Sequence, residues 1–262
     1  MILAVDVGNS NTTVGLFNGT GELLFRALLE TSRSKTRDQC AIELLGVFQL
    51  YGADACTVDG AILSSVVPPL TTIFTDAIAR LTGIPPMVVG PGIRTGLNIK
   101  AEIHNQLGSD IVASSVAAIA KYPSPIVMVD MGTATSLSLI VGSVYEGCII
   151  MPGLALALDA LSERAAALPP ISIETASPVG LMGHTTEEAM RSGVLYGHAS
   201  MVDGMLERIE ESIGQSVTTV ATGGNAPRIL RYCKRPIQYD AALIMTGLYL
   251  LYQKNAKKYR KA

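Results

Sequence analysis

The first seventeen residues set the pattern of the chain. An apolar run over residues 1–5 leads directly into Asp6, a Gly/Asn/Ser/Thr segment follows, and hydrophobicity resumes at Val14; this predicts strand, tight turn, strand. Thr20 and Gly21 mark a second turn, and residues 22–29 return as a third strand. Residues 33–37 are polar and loop-like, while residues 38–50 place Ile42, Leu45, Val47 and Phe48 at helical spacing. Residues 61–67 form an apolar run closed by Pro68 and Pro69, the pattern of a strand buried on both faces. Leu70, Ile73, Phe74, Ala77, Ile78 and Leu81 then recur with the helical period up to Gly83. A short strand over residues 87–89 runs into Gly90-Pro91-Gly92, and residues 94–107 read as loop with some extended character. Gly108-Ser109-Asp110 precedes an Ala- and Val-rich helix over residues 111–121, for which Ser109 or Asp110 is a suitable cap.

Residues 126–141 repeat the opening: apolar strand, Asp130, one residue, Gly132, polar turn, second strand. Asp130 lies 124 positions after Asp6 in a chain of 262, and Gly132 then falls on Gly8. Two such turns at half-chain spacing point to a duplicated domain with facing loops, between which nucleotides commonly sit. The division is placed at residues 1–122 and 123–262. In the second half, residues 144–150 supply a third strand, and Pro152-Gly153 leads to a helix over residues 154–168 ended by Pro169 and Pro170. Thr185 and Glu188 match a capping box opening a long helix to about residue 212. Its Met190, Val194, Gly197, Met201 and Met205 lie along one stripe, a core face by default. Glycines at 193, 197 and 204 would also let another helix approach, which makes the stripe a candidate dimer face. A strand over residues 217–221 ends in Thr222-Gly223-Gly224-Asn225, a short helix spans residues 226–232, and Asp240 opens a last helix through Lys254.

Composition narrows the class. With 48 % hydrophobic and 16 % charged residues, disorder is excluded for all but the ends, yet no apolar run is long enough to span a bilayer. A formal charge of −2, with basic residues clustered only in the tail (Lys254, Lys257, Lys258, Arg260, Lys261), argues against nucleic acid as a partner. Cys40, Cys56, Cys148 and Cys233 are widely spaced, without CxxC, so buried free thiols are expected rather than zinc or disulfides. His104, His184 and His198 form no recognisable pair and receive no chemistry. The first residues lack a signal peptide's basic region and cleavage site, and a cytoplasmic location is expected.

The turns carry the candidate chemistry. Gly8 allows close backbone approach, and Asn9, Ser10, Asn11, Thr12 and Thr13 add side-chain donors, so the segment from Asp6 and Val7 to Thr13 can wrap phosphate oxygens. A polar hairpin with nothing bound is the alternative. No GxxxxGK[ST] is present, which excludes a P-loop. Gly223 and Gly224, before a helix, suit backbone packed flat against adenine. Neither Asp-x-Gly turn contains Lys or Arg, so Asp6 and Asp130 would face a polyanion and cations must intervene. Mg²⁺ bridging phosphates is the usual answer, and a second ion would fit Asp130 with Thr133; an Asp that only hydrogen-bonds its own turn is the competing reading. Phosphoryl transfer to an alcohol also needs a base, and Asp110 is the best placed. A helix N-terminus favours its anion, which works against raised basicity, so positioning is expected to matter more than pKa.

The segment Asp6-Val-Gly-Asn-Ser-Asn-Thr-Thr13, the strand through Ile62-Leu-Ser-Ser-Val-Val-Pro68, Gly108-Ser-Asp110, Asp130-Met-Gly-Thr-Ala134, Gly147 through Gly153, Thr186 to Gly193, and Thr222-Gly-Gly224 together resemble the type III pantothenate kinases. The likeness spans nearly the whole chain. It implies an α/β architecture: a duplicated ribonuclease-H-like, actin-like ATPase fold, with two mixed-sheet halves around a nucleotide cleft. It also implies ATP-dependent phosphorylation of pantothenate, the first step of coenzyme A biosynthesis, in a cytoplasmic homodimer using Mg²⁺ and a monovalent cation, K⁺ or NH₄⁺. By position, Asp6 to Thr13 and Thr133 would bind ATP, Asp130 the monovalent cation, Asp110 would be the base, and Gly108, Ser109, Asp110, Ile111 and Thr186 would contact pantothenate. Two departures lie on the acceptor side: Ile111 stands where the family usually has Arg, and the stretch from Ala101 to His104 lacks an expected Tyr. Lys100 and Arg94 are the candidates to compensate. A paralogue acting on another small hydroxylated acceptor, and a non-catalytic nucleotide-binding regulator, stay open as alternatives.

Overall fold

A computed structural model describes residues 1–100, 107–173 and 179–259. The chain forms two compact units, Met1–Lys121 with Ala242–Ala262, and Tyr122–Ala241. The final helix therefore packs with the first unit, although its place in the chain puts it in the second half. Among the described residues no helix is long and apolar enough to cross a membrane.

The first unit contains β1 (Ile2–Val7), β2 (Asn11–Phe17), β3 (Leu23–Glu30), α1 (Arg37–Leu50), β4 (Gly60–Ser65), α2 (Pro68–Thr82), β5 (Met87–Val88), β6 (Asn98–Ile99) and α3 (Ser109–Lys121). Its sheet runs β3-β2-β1-β4-β5. The first three strands are an antiparallel meander, and β4 and β5 add in parallel. Alternation along β1 sorts the core. Leu3, Val5 and Val7 join Leu44, Phe48, Leu70 and Phe74 of α1 and α2, whereas Ile2 and Ala4 join Ala113 and Val116 of α3. Met245, Leu248 and Leu251 of the last helix, Leu243–Tyr259, complete that second cluster. This burial is what returns the chain's end to the first sheet.

Local signals fix most helix limits. Thr36 and Gln39 form a capping box on α1, Pro68 and Pro69 occupy the first positions of α2, and Gly83 ends it in the left-handed conformation. Within α1 the buried residues are Cys40, Leu44, Val47 and Phe48. Ile42 and Leu45, expected on the core face, are 68 % and 43 % exposed, because the stripe actually buried starts at Cys40.

The second unit contains β7 (Ile126–Met131), β8 (Ala134–Val141), β9 (Val144–Pro152), α4 (Leu154–Arg164), α5 (Thr186–Ile213), β10 (Thr218–Thr222), α6 (Ala226–Leu230) and β11 (Gln238–Tyr239); the final helix is α7. Its strands follow the order β11-β10-β7-β8-β9, the same arrangement as the first sheet with the meander at one side and parallel strands at the other. Both units thus have the ribonuclease-H-like topology of a duplicated fold. The core lies between Val127, Val129 and Leu137 of the sheet and Leu158, Val194, Val202, Leu206 and Ile229 of α4, α5 and α6. Thr185 and Glu188 do form the capping box of α5. Helix α4 stops at Arg164, short of the prolines, with Leu168 N–H bonded to the Ala165 carbonyl in a following turn. On α5, Met190 and Val194 are buried while Gly193, Gly197 and Met201 are exposed, so the expected stripe divides between two faces.

Candidate active site

In the first unit, β1 ends on Asp6 and Val7, paired in register with Thr13 and Thr12 of β2 and with Ser64 and Ser65 of β4. Val7 is core, and Asp6 is only 8 % exposed. The alternation that sends Ile2 and Ala4 towards α3 sends Asp6 to that side too. Gly8 N–H donates to the Asn11 carbonyl at 3.0 Å, closing the turn. A Cβ on Gly8 would stand 2.9 Å from that oxygen, so a larger residue would open it. The Ser10 carbonyl accepts from Thr31 N–H at 3.0 Å, and the Thr12 hydroxyl bonds that of Thr31 at 2.8 Å. Thr12 is therefore committed to holding the hairpin. Asn9, Ser10 and Asn11 are the exposed residues of the turn, with Thr13 half-buried.

Gly108, Ser109, Asp110 and Ile111 stand at the start of α3. Ser109 does not cap its own helix in the usual way. Its hydroxyl lies 2.9 Å from that of Ser64, accepts from Ser65 N–H at 3.1 Å and donates to the Ser65 carbonyl at 3.2 Å. This ties the helix start to the end of β4, alongside Asp6. Asp110 Oδ1 accepts the Ile111 N–H at 2.8 Å. A Cβ on Gly108 would lie 2.3 Å from that same oxygen, so glycine there is what leaves room for the carboxylate. Burial pushes the Asp110 carboxyl above its ordinary range, against the lowering effect of backbone N–H donors. The expectation that the helix start would oppose raised basicity is thus corrected: lost solvation outweighs the local dipoles.

The second unit repeats the motif with a shorter turn. Asp130 and Met131 of β7 pair with Ser136 and Thr135 of β8, and Asp130 pairs with Thr222 of β10, as Asp6 does with Ser64. Gly132 N–H closes the turn on the Ala134 carbonyl at 3.0 Å, leaving Thr133 exposed. Two other segments press on it. A Cβ on Gly153 would fall 2.1 Å from the Thr133 carbonyl oxygen and 2.7 Å from that of Gly132. Gly223, at φ 93, would place a Cβ 2.6 Å from the Met131 oxygen and 2.7 Å from Asp130 Oδ1. Asn225 then locks loop to turn: its backbone N–H donates to the Met131 carbonyl at 3.0 Å, and its side-chain amide to that of Gly132 at 3.2 Å. Asn225 was not singled out from the sequence, where an Asn after Gly-Gly and before a helix was its one signal.

The groups this turn offers are all oxygens, the Asp130 carboxylate and main-chain carbonyls such as that of Met131, which a Cβ on Gly223 would approach together with Asp130 Oδ1; such ligands suit hard cations rather than zinc. Among the described residues no group of three or more His, Cys, Asp or Glu could hold a metal ion by itself. Thr186 is the first residue of α5 and exposed. Of the residues considered to replace the missing Arg, Arg94 has its backbone fixed by Asn255 at 2.9 Å in both directions, and Lys100 is exposed. The stretch from Ala101 to His104, Arg260 and Lys261 lie outside the described residues. His198 is a buried structural group, its Nε2 3.0 Å from the Thr135 hydroxyl, and burial lowers its pKa. All four cysteines are free; Cys40 is buried as expected, but Cys56 and Cys148 are exposed.

The family model of type III pantothenate kinases matches residues 2–208. The type III pantothenate kinase of Exiguobacterium sp. is 39 % identical over 258 residues, covering 98 % of this chain and 100 % of its own. That of Geobacillus thermodenitrificans is 39 % identical over 259 residues, covering 98 % and 99 %. Among solved structures, the activator of 2-hydroxyisocaproyl-CoA dehydratase from Clostridium difficile, with bound ADPNP, superimposes with a TM-score of 0.60 at 11 % identity over 99 % of this chain and 97 % of that one. The ROK hexokinase of Thermus thermophilus gives 0.51 at 14 % identity, covering 98 % and 99 %. These two likenesses concern the fold alone.

Proposed function

The chain belongs to the type III pantothenate kinase family, and from that premise we propose a division of labour among its residues. The enzyme transfers a phosphoryl group from ATP to pantothenate, giving 4′-phosphopantothenate for coenzyme A biosynthesis. The exposed part of the first turn, Asn9, Ser10 and Asn11, binds ATP phosphates through side-chain and backbone donors, and Asp6 is the carboxylate that would help hold the divalent ion. Asp130, with Thr133, would hold the monovalent cation, and Gly223 and Gly224 support the adenine. When bound, these ions supply charge neutralisation that the turns lack. Asp110 takes the proton from the pantothenate hydroxyl as that oxygen bonds the γ-phosphorus and the bond from phosphorus to the ADP oxygen breaks, with Gly108 to Ile111 contacting the acceptor; contact with the acceptor is also the role assigned to Thr186.

The observation that carries this reading is the anchoring of the helix start that bears Asp110 to the strand next to that of Asp6: Ser109 is bonded to β4, and β4 pairs in register with β1. A base for in-line transfer must hold a fixed distance from the phosphate turn, and this is a rigid way to hold it. The raised pKa suits a proton acceptor better than an ordinary surface carboxylate would. The exposed Gly193, Gly197 and Met201 on α5 support a homodimer formed through that face, and a cytoplasmic location belongs to the same reading.

The test is ADP release with ATP, Mg²⁺ and either K⁺ or Na⁺. The reading requires turnover that depends on pantothenate and is stimulated by K⁺. Release driven instead by another hydroxylated acceptor would assign a paralogue, and ATP binding without any transfer would assign a regulator.

A further inference from the structure

We propose that Ser64 and Ser109 form a positioning pair that sets the catalytic carboxylate, a role resting on the reading of Asp110 as the base. Ser64 is fully buried, on a strand whose neighbours at Ile62 and Leu63 are apolar. Alanine would satisfy packing at that position. A buried hydroxyl costs free energy unless it is bonded, so its presence needs a partner, and the partner lies 45 residues away in sequence.

The Ser109 hydroxyl is engaged on every side by β4. Its oxygen accepts from Ser65 N–H, and its single O–H has the Ser65 carbonyl within reach at 3.2 Å and the Ser64 hydroxyl, which can also be the donor, at 2.9 Å. The Ser109 side chain is thus taken up by β4, and the contact proposed for Ser109 with the acceptor falls to its backbone. It is also the first residue of α3 and the neighbour of Asp110, so fixing it fixes the point from which the carboxylate projects. The other member, Ser64, pairs directly with Asp6 in the sheet. The two hydroxyls therefore tie the base to the strand that carries the phosphate turn. Ile111 brings no polar side chain to the carboxylate, so its orientation falls on this clamp and on the Ile111 backbone N–H.

The experiment is a double-mutant cycle in the full-length enzyme with Ser64→Ala, Ser109→Ala and the double variant, alongside Ser109→Thr and Asp110→Asn. Each alanine variant is expected to lower kcat about tenfold or more, with KM for ATP within about twofold of wild type, since the fault lies in placement of the base. The double variant should be no slower than the slower single one, and Ser109→Thr, which keeps the hydroxyl, should recover most of the rate. Unchanged ATP binding by titration calorimetry in every variant shows that the fold persists. Wild-type kcat in both alanine variants, or losses that multiply as for independent sites, overturns the clamp while abolished turnover in Asp110→Asn keeps the base. Turnover retained in Asp110→Asn overturns the base and the clamp with it.

Discussion

Gly223 brings its backbone so close to Asp130 that a Cβ added there would stand 2.7 Å from Oδ1 of the carboxylate. The same residue has φ 93, a conformation that side chains strain to adopt. Gly223→Ala should therefore cost about 1–3 kcal/mol of stability and displace the carboxylate. Thermal melting reads the first effect. With Asp130 in its proposed role as the monovalent-cation ligand, the second should appear as a rise in the K⁺ concentration giving half-maximal rate, with KM for pantothenate unchanged.

Asn225 ties the same loop to the second turn through its amide and the Gly132 carbonyl. Removing the bond in Asn225→Ala should cost about 1 kcal/mol, seen as a lower melting temperature and weaker ATP binding. Asn225→Asp should be worse than alanine. It sets a carboxylate, which cannot donate, against a carbonyl oxygen. An Asp variant that binds ATP better than the Ala variant would show that the amide is not the link.

The Asp110 carboxyl titrates above its ordinary range because burial disfavours its anion. In its proposed role as the base it must be deprotonated to act, so kcat should fall as pH drops through this raised pKa, at a pH where a solvated carboxylate would still be ionised. Stability runs the other way. A carboxyl with a raised folded pKa contributes stability that is present below its unfolded pKa and is lost as pH rises through the folded one. Asp110→Asn, which removes that buried charge, should accordingly melt above wild type at neutral pH. Melting curves for the two proteins at acid and neutral pH should converge on the acid side.

His198 gives the opposite slope. Its folded pKa is lowered by burial, so its contribution is intact above the unfolded value and is lost as pH falls from about 6.5 through the folded pKa. His198→Gln can keep a hydrogen bond to the Thr135 hydroxyl without titrating. It should flatten the dependence of melting temperature on pH below about 6.5, where wild type declines.

The repeat was legible because each half opens with an apolar strand running into Asp-x-Gly, a signal carried by adjacent residues. β1 and β7 even share their limits at the 124-residue offset seen in Asp6 and Asp130. Capping of α5 by Thr185 and Glu188 and of α2 by Gly83 was legible for the same local reason. What escaped depends on contacts distant in sequence. The return of α7 to the first sheet rests on Met245 and Leu248 meeting Ile2 and Ile62, and nothing near residue 245 announces it. Ile42 and Leu45 fit a helical period but not the stripe chosen by the core. The pairing of Ser109 with Ser64, and the raised pKa of Asp110, follow from burial created only when β4 and α3 meet.

The central claim, that Asp110 is the base of an ATP-dependent pantothenate kinase, is tested most directly by ADP release from Asp110→Asn at saturating pantothenate, Mg²⁺ and K⁺, with ATP affinity measured on the same protein. The account predicts a fall in kcat of about 10²–10⁴-fold with ATP affinity unchanged. A variant that turns over pantothenate at the wild-type rate would contradict it.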